Sequence, residues 1–128
     1  MRLDPARPPV RLGLFACLLF PLAGCGQSDF TKQMTAICAE EADPGADCGC
    51  IVGKLDAGLP DRLKPAFSAL RWPLKPAPQD RERVFNDAMR AAGVDPVDRQ
   101  AVQSIQSEFR DAYKPLREQL RAECGGDL

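Results

Sequence analysis

Apolar residues recur along this chain at intervals of three and four, the period of one helix face, and almost nowhere alternate as a half-buried strand requires. Phe30, Met34, Ile37 and Cys38 mark a first helix, with Ser28 or Asp29 placed to cap its open amides and an end expected near Asp43. Pro44-Gly45-Ala46-Asp47 is a turn by composition, and Asp47 can cap a second helix that turns Ile51, Val52, Leu55 and Leu59 inward. Pro60 and Asp61 suit the first turn of a third element with Leu63, Phe67 and Leu70 on its buried side. Pro65 interrupts that element, because an interior proline removes a hydrogen bond and clashes with the preceding turn. Either residues 60–64 form a tight single turn or the helix begins at Pro65.

Pro73, Pro76 and Pro78 fall within six positions, which removes backbone donors and biases the segment from Arg71 to Pro78 toward extended geometry: a linker or clasp. Val84, Phe85, Ala88, Met89 and Ala92 mark a fourth helix that Gly93 can end in a left-handed cap. Asp95-Pro96 opens a fifth, whose Val97, Ala101, Ile105, Phe109, Tyr113, Leu116, Leu120 and Cys124 form one continuous stripe. The stripe keeps its register across Pro115, so the pattern predicts one long helix kinked there. The fold expected for residues 29–128 is all-α, a small bundle of four or five helices.

The N-terminus follows a different pattern. Arg2, Arg7 and Arg11 stand against the single acid Asp4, and Leu12 to Ala23 then run almost without polarity. That stretch is shorter than the roughly 20 residues a permanent span needs, and Pro21 ends it, so it reads as a signal peptide. At its end, Leu22-Ala23-Gly24-Cys25 resembles the lipobox of bacterial lipoproteins: a branched residue, two small residues that a peptidase cleft admits, and a cysteine whose sulfur takes the lipid. The resemblance covers only the first 26 residues. It implies removal of residues 1–24, acylation of Cys25, and a tether of residues 25–28. In the lipoproteins it resembles, an Asp after the cysteine tends to retain the protein in the inner membrane, so Gly26 implies the outer membrane, with the domain facing the periplasm. Two or three acyl chains, at about 0.8 kcal/mol per buried CH₂, give lasting attachment where one chain does not. The tether reaches at most about 3.5 Å per residue, so the domain should sit close to the bilayer. The plainer alternative is an ordinary secretory peptide with Cys25 left as a thiol.

A chain of 128 residues holds one small domain at most. Its 17 basic and 18 acidic residues give a net charge of -1, and aromatics make up 6%, so it has neither the basic surface nor the stacking platform that nucleic acids require. It contains no His, which removes the commonest general base and metal ligand. Taking Arg2, Arg7, Arg11 and Asp4 from those totals leaves 14 basic and 17 acidic residues, a charge of -3 after processing. No cofactor, small-molecule substrate or nucleotide site is expected, and the carboxylates read as solvated faces.

Of the six cysteines, Cys17 leaves with the leader and Cys25 carries lipid, so Cys38, Cys48, Cys50 and Cys124 remain, an even set in an oxidising compartment. Two disulfides follow. Counting heights along an antiparallel hairpin favours Cys38 with Cys50, which leaves Cys48 for Cys124. The alternative use is thiol-disulfide exchange by Cys48-Gly49-Cys50 at a helix N-terminus, where amides and dipole would lower a thiol pKa. Cys38 and Cys124 would then lack partners, and no thioredoxin-like strands surround the motif, so the structural use is preferred. A zinc site is disfavoured because only one close pair exists, with a single intervening residue. Beyond the lipobox, the cysteine spacing is similar only to that of small helical envelope proteins. Trp72 and the neighbouring Leu74 are the candidate contacts with another protein; the competing role for Trp72 is a lid over the gap between the third and fourth helices, and the lid is preferred. The function expected is therefore a non-enzymatic, membrane-anchored envelope protein presenting a helical surface to a protein partner.

Overall fold

The structure is a computed structural model and describes residues 28–128; the segments expected to be a leader and a lipobox, with Cys25, lie outside the described residues. Helix α1 spans Asp29–Glu41 and begins where Ser28 turns extended, its Oγ accepting the Thr31 amide at 3.2 Å and so satisfying one of the first-turn donors. It buries Phe30, Met34 and Cys38, and gives way at Ala42 to the turn around Pro44. Helix α2 spans Cys48–Gly58; Asp47 caps it through Oδ1, which accepts the Cys50 amide at 3.0 Å, and Ile51, Val52 and Leu55 are buried.

Pro65 produces neither of the two outcomes expected. A 3₁₀ helix, Asp61–Ala66, runs through it, and α3, Phe67–Arg71, starts only afterwards. The tighter spiral bonds three residues back, from Leu63 N–H to Pro60 O and from Phe67 N–H to Lys64 O, so Pro65 falls between two bonds that do not need its missing donor. A further 3₁₀ turn, Pro78–Asp80, leads into α4, Arg81–Ala91. Gly93 at φ +75° closes α4, with Val94 N–H reaching back to Met89 O at 2.8 Å and the Val94 side chain buried beneath.

Helix α5 spans Arg99–Cys124, 26 residues or about 39 Å, and runs unbroken through Pro115, which is exposed. It starts later than Asp95-Pro96 implied. Asp98 is the cap, accepting the Gln100 and Ala101 amides at 3.0 and 3.1 Å, while Asp95 closes a turn by accepting the Val97 amide. Val97 is consequently outside the stripe and 82% exposed. The rest holds: Ile105, Phe109, Tyr113, Leu116, Leu120 and Cys124 are buried and Ala101 is half-buried.

Among the described residues there are five α-helices and no strand. Helix α2 packs against both α1 and α5. Gly58 marks how closely α2 and α5 approach, since a Cβ there would stand 3.0 Å from Leu116 Cδ1. Phe67 is the hub of the other side of the core, edge-on to Phe30, Trp72, Phe109 and Tyr113 at centroid distances of 5.5 to 5.8 Å.

Both disulfides form, but with the pairing reversed. Cys38 bonds Cys48, and Cys50 bonds Cys124, with Cα separations of 5.8 and 5.5 Å, in place of Cys38–Cys50 and Cys48–Cys124. Height along the hairpin was the wrong coordinate. At about 100° per residue, positions 48 and 50 stand about 200° apart around α2, so one sulfur reaches α1 and the other α5. The end of α5 is brought to that place by the turn at 43–47: Asp47 N–H donates to Cys124 O at 2.9 Å, and Gly126 is buried against Ala46.

Candidate functional site

Cys48 and Cys50, the local motif with redox potential, are each bonded to a different element, and their partners Cys38 and Cys124 are 1% and 4% exposed. Trp72 is half-buried and rests edge-on against Phe67, flanked by the Arg71 guanidinium at 5.6 Å and Lys75 Nζ at 5.1 Å from its ring. It thus covers the aromatic hub, and Lys75 ties the same segment to Glu41 of α1 with an ion pair of 3.0 Å. Leu74 is not drawn in with it and remains 71% exposed.

The feature best shaped for a ligand lies elsewhere, in a groove of about 530 Å³ between α3, the following loop, Phe85 of α4 and the middle of α5. Its apolar walls include Leu70, Phe85, Phe109 and the Tyr113 ring, and its cations are Arg71, Arg110, Lys114 and Arg117; no Asp or Glu lines it. The elements that build it explain this segregation. Phe109 and Tyr113 belong to the buried stripe of α5, stacked at 5.3 Å, and each is followed one position on by a basic residue that comes out at the groove edge.

The four cations are not equally committed. Arg71 Nε donates to Leu128 O at 3.0 Å, and Arg117 Nε pairs with Asp127 at 2.7 Å, so the last residues hold two of them. Arg121 pairs with the same Asp127. Arg110 and Lys114 make no ion pair among the described residues, although Glu108 on the same helix is taken by Arg62. Tyr113 lies beneath this charge. Its hydroxyl is buried without a hydrogen-bond partner, and burial pushes the phenol above its ordinary pKa, against the opposing pull of the Arg71 guanidinium. The groove therefore offers positive charge over an apolar floor, the complement of a molecule with an anionic end and an apolar body.

Sequence reasoning missed this site. Its signal was present in the spacing: Arg110, Lys114, Arg117 and Arg121 recur at four, three and four, each directly after a member of the apolar stripe. A basic line beside an apolar one on a single helix reads as an ordinary solvated margin until α3 and α4 supply the opposite wall.

Fold and site together define a small all-α domain, doubly disulfide-bonded, with a cationic groove. No protein-family model matches the chain, and no similar curated protein or solved structure is found.

Proposed function

We propose that this chain is an exported, lipid-anchored protein of the cell envelope, attached through Cys25 on the periplasmic face of the outer membrane. There it acts without catalysis, presenting a disulfide-stapled helical surface to another protein. The observation that carries the reading is the complete pairing of the domain's four cysteines, each bond joining distinct elements, which suits an oxidising compartment. The leader and the lipobox, Leu22-Ala23-Gly24-Cys25, supply the route to that compartment. Among the described residues no helix is long and apolar enough to cross a membrane, so attachment would rest on the lipid. Thiol exchange by Cys48 and Cys50 is the weaker reading, because the two are bonded to separate elements and not to each other, and attack on either half-buried sulfur would have to expel a Cys38 or Cys124 thiolate into the core.

The intact mass of the protein extracted from membranes, taken with and without thiol alkylation, tests this. The expected species lacks residues 1–24, carries acyl chains on Cys25 and takes up no alkylating agent until it is reduced. An uncut chain with reactive thiols would remove the basis for export and for anchoring alike.

A further inference from the structure

We propose that the groove between α3, α4 and α5 binds an anionic phospholipid, with the phosphate between Arg110 and Lys114 and the first part of an acyl chain against Phe85 and Phe109. Charge complementarity is the first argument. Four cations line one groove of a chain whose net charge is -1; Asp127 and Leu128 O engage Arg117 and Arg71, and the charge of Arg110 and Lys114 is left to run against the balance of the whole. Two of the four, Arg110 and Lys114, are left without an ion pair among the described residues, ready to meet an anion.

Size is the second argument. A space of about 530 Å³ falls within the roughly 300 to 1,000 Å³ of small-ligand sites, enough for a headgroup and the start of one chain but not for a whole lipid. The rest of the ligand must stay in a bilayer, so the groove has to lie near one.

Position is the third. Phe30, in the first turn of α1, stands 5.8 Å from Phe67, whose ring stands 5.6 Å from Phe109 in the groove. Phe30 and Phe109 are therefore at most about 11 Å apart across the buried Phe67 ring, and Cys25 is only three residues before Ser28, a reach of about 3.5 Å per residue. This third argument rests on the anchoring reading; the first two do not.

The test uses soluble lipid, so that its failure is distinct from a failure of the anchor. The full chain is titrated with six-carbon-chain phosphatidylglycerol and, separately, six-carbon-chain phosphatidylcholine, both below their micelle concentrations. The fluorescence of Trp72 is the readout, since it is the only tryptophan and sits between the lining residues Arg71 and Pro73. Phosphatidylglycerol should give a saturable change and phosphatidylcholine a much weaker one. Combining Arg110→Gln with Lys114→Gln should weaken phosphatidylglycerol binding about 25-fold, at about five-fold per charge. The exposed pair Arg83→Gln and Arg90→Gln on α4 should leave it unchanged. The proposal is overturned by no response at Trp72, by equal responses to the two headgroups, by equal losses in the two double variants, or by inorganic phosphate binding as tightly as the lipid. Tighter saturation by a polyglutamate peptide would give the groove to an acidic protein segment instead.

Discussion

Where α1, α2 and the end of α5 meet, two disulfides and the hydrogen bond from Asp47 to Cys124 tie the backbones together; where α3 packs on the middle of α5, no covalent bond crosses and aromatic rings fill the space. Aliphatic side chains, Met34, Ile51, Leu55 and Leu120, fill the first junction, and the small residues Ala42, Ala46, Cys48, Cys50 and Gly126 gather at its turn end, where they remove little apolar surface from water, at roughly 25 cal/mol per Å². Phe67, Phe109, Tyr113 and Trp72 gather at the second, where each ring buries far more. The crosslinks thus stand at the turn end of a junction whose interior is itself well buried. The groove, in turn, opens beside the rings, in the half that no disulfide crosses.

The sharpest way to break this comparison is to remove one bond at a time. The Cys50–Cys124 bond spans 74 residues of sequence and the Cys38–Cys48 bond spans 10. On the loop-entropy relation the first contributes about 4.5 kcal/mol and the second about 2.7 kcal/mol. Urea denaturation of Cys50→Ala/Cys124→Ala and Cys38→Ala/Cys48→Ala should reproduce that order. Equal losses would show that the longer loop is already restrained in the unfolded chain. In the other half, Phe67→Ala removes the hub that touches four rings and should cost about 4 kcal/mol. Amide exchange should quicken over α3 and α4 well before it does over α2. A uniform rise across the chain would mean that the two halves unfold as one.

Much of the fold was legible because periodicity and caps act locally. The stripe of α5, the inward faces of α1 and α2, and the capping roles of Ser28, Asp47 and Gly93 are all consequences of spacing that survive in the folded chain. What failed needed the third dimension. The choice of partner for Cys38 depends on azimuth around α2, and height alone chose Cys50 where the bond goes to Cys48. Val97 looked like a stripe residue because Asp95-Pro96 resembles a helix start, whereas Asp98 offers two amides a better acceptor. The groove was illegible for the same reason. Arg71 and Phe85 lie far in sequence from Arg110 and Lys114, and only the packing of α3 on both α4 and α5 sets them around one space.

A smaller effect sharpens the account of the stapled junction. Asp47→Ala removes the acceptor of the Cys50 amide and should cost about 1 kcal/mol, as a lost N-cap usually does. Asp98→Ala, at the start of α5 with no disulfide nearby, should cost a similar amount. If urea midpoints show Asp98→Ala destabilising and Asp47→Ala silent, then the bonds at Cys48 and Cys50 hold the first turn of α2 without help from its cap.

The smallest effect belongs to the aromatic half and is read at a single group, because Tyr113 is the only tyrosine. Burial raises its pKa above the ordinary 10.0, so the folded protein keeps the phenol proton to a higher pH than the unfolded chain does. The stabilisation this gives is complete below about pH 10 and is lost as pH rises through the folded value, since there the folded state must accept a buried phenolate. Phenolate absorbance should therefore appear late in an alkaline titration of the native protein and at the ordinary value in urea. Arg71→Leu takes away the cation that favours the phenolate and should move the native titration later still. An unshifted titration in the native protein would mean that water reaches the ring, and the aromatic half would then be open enough to admit solvent where the structure packs Phe67 against Tyr113.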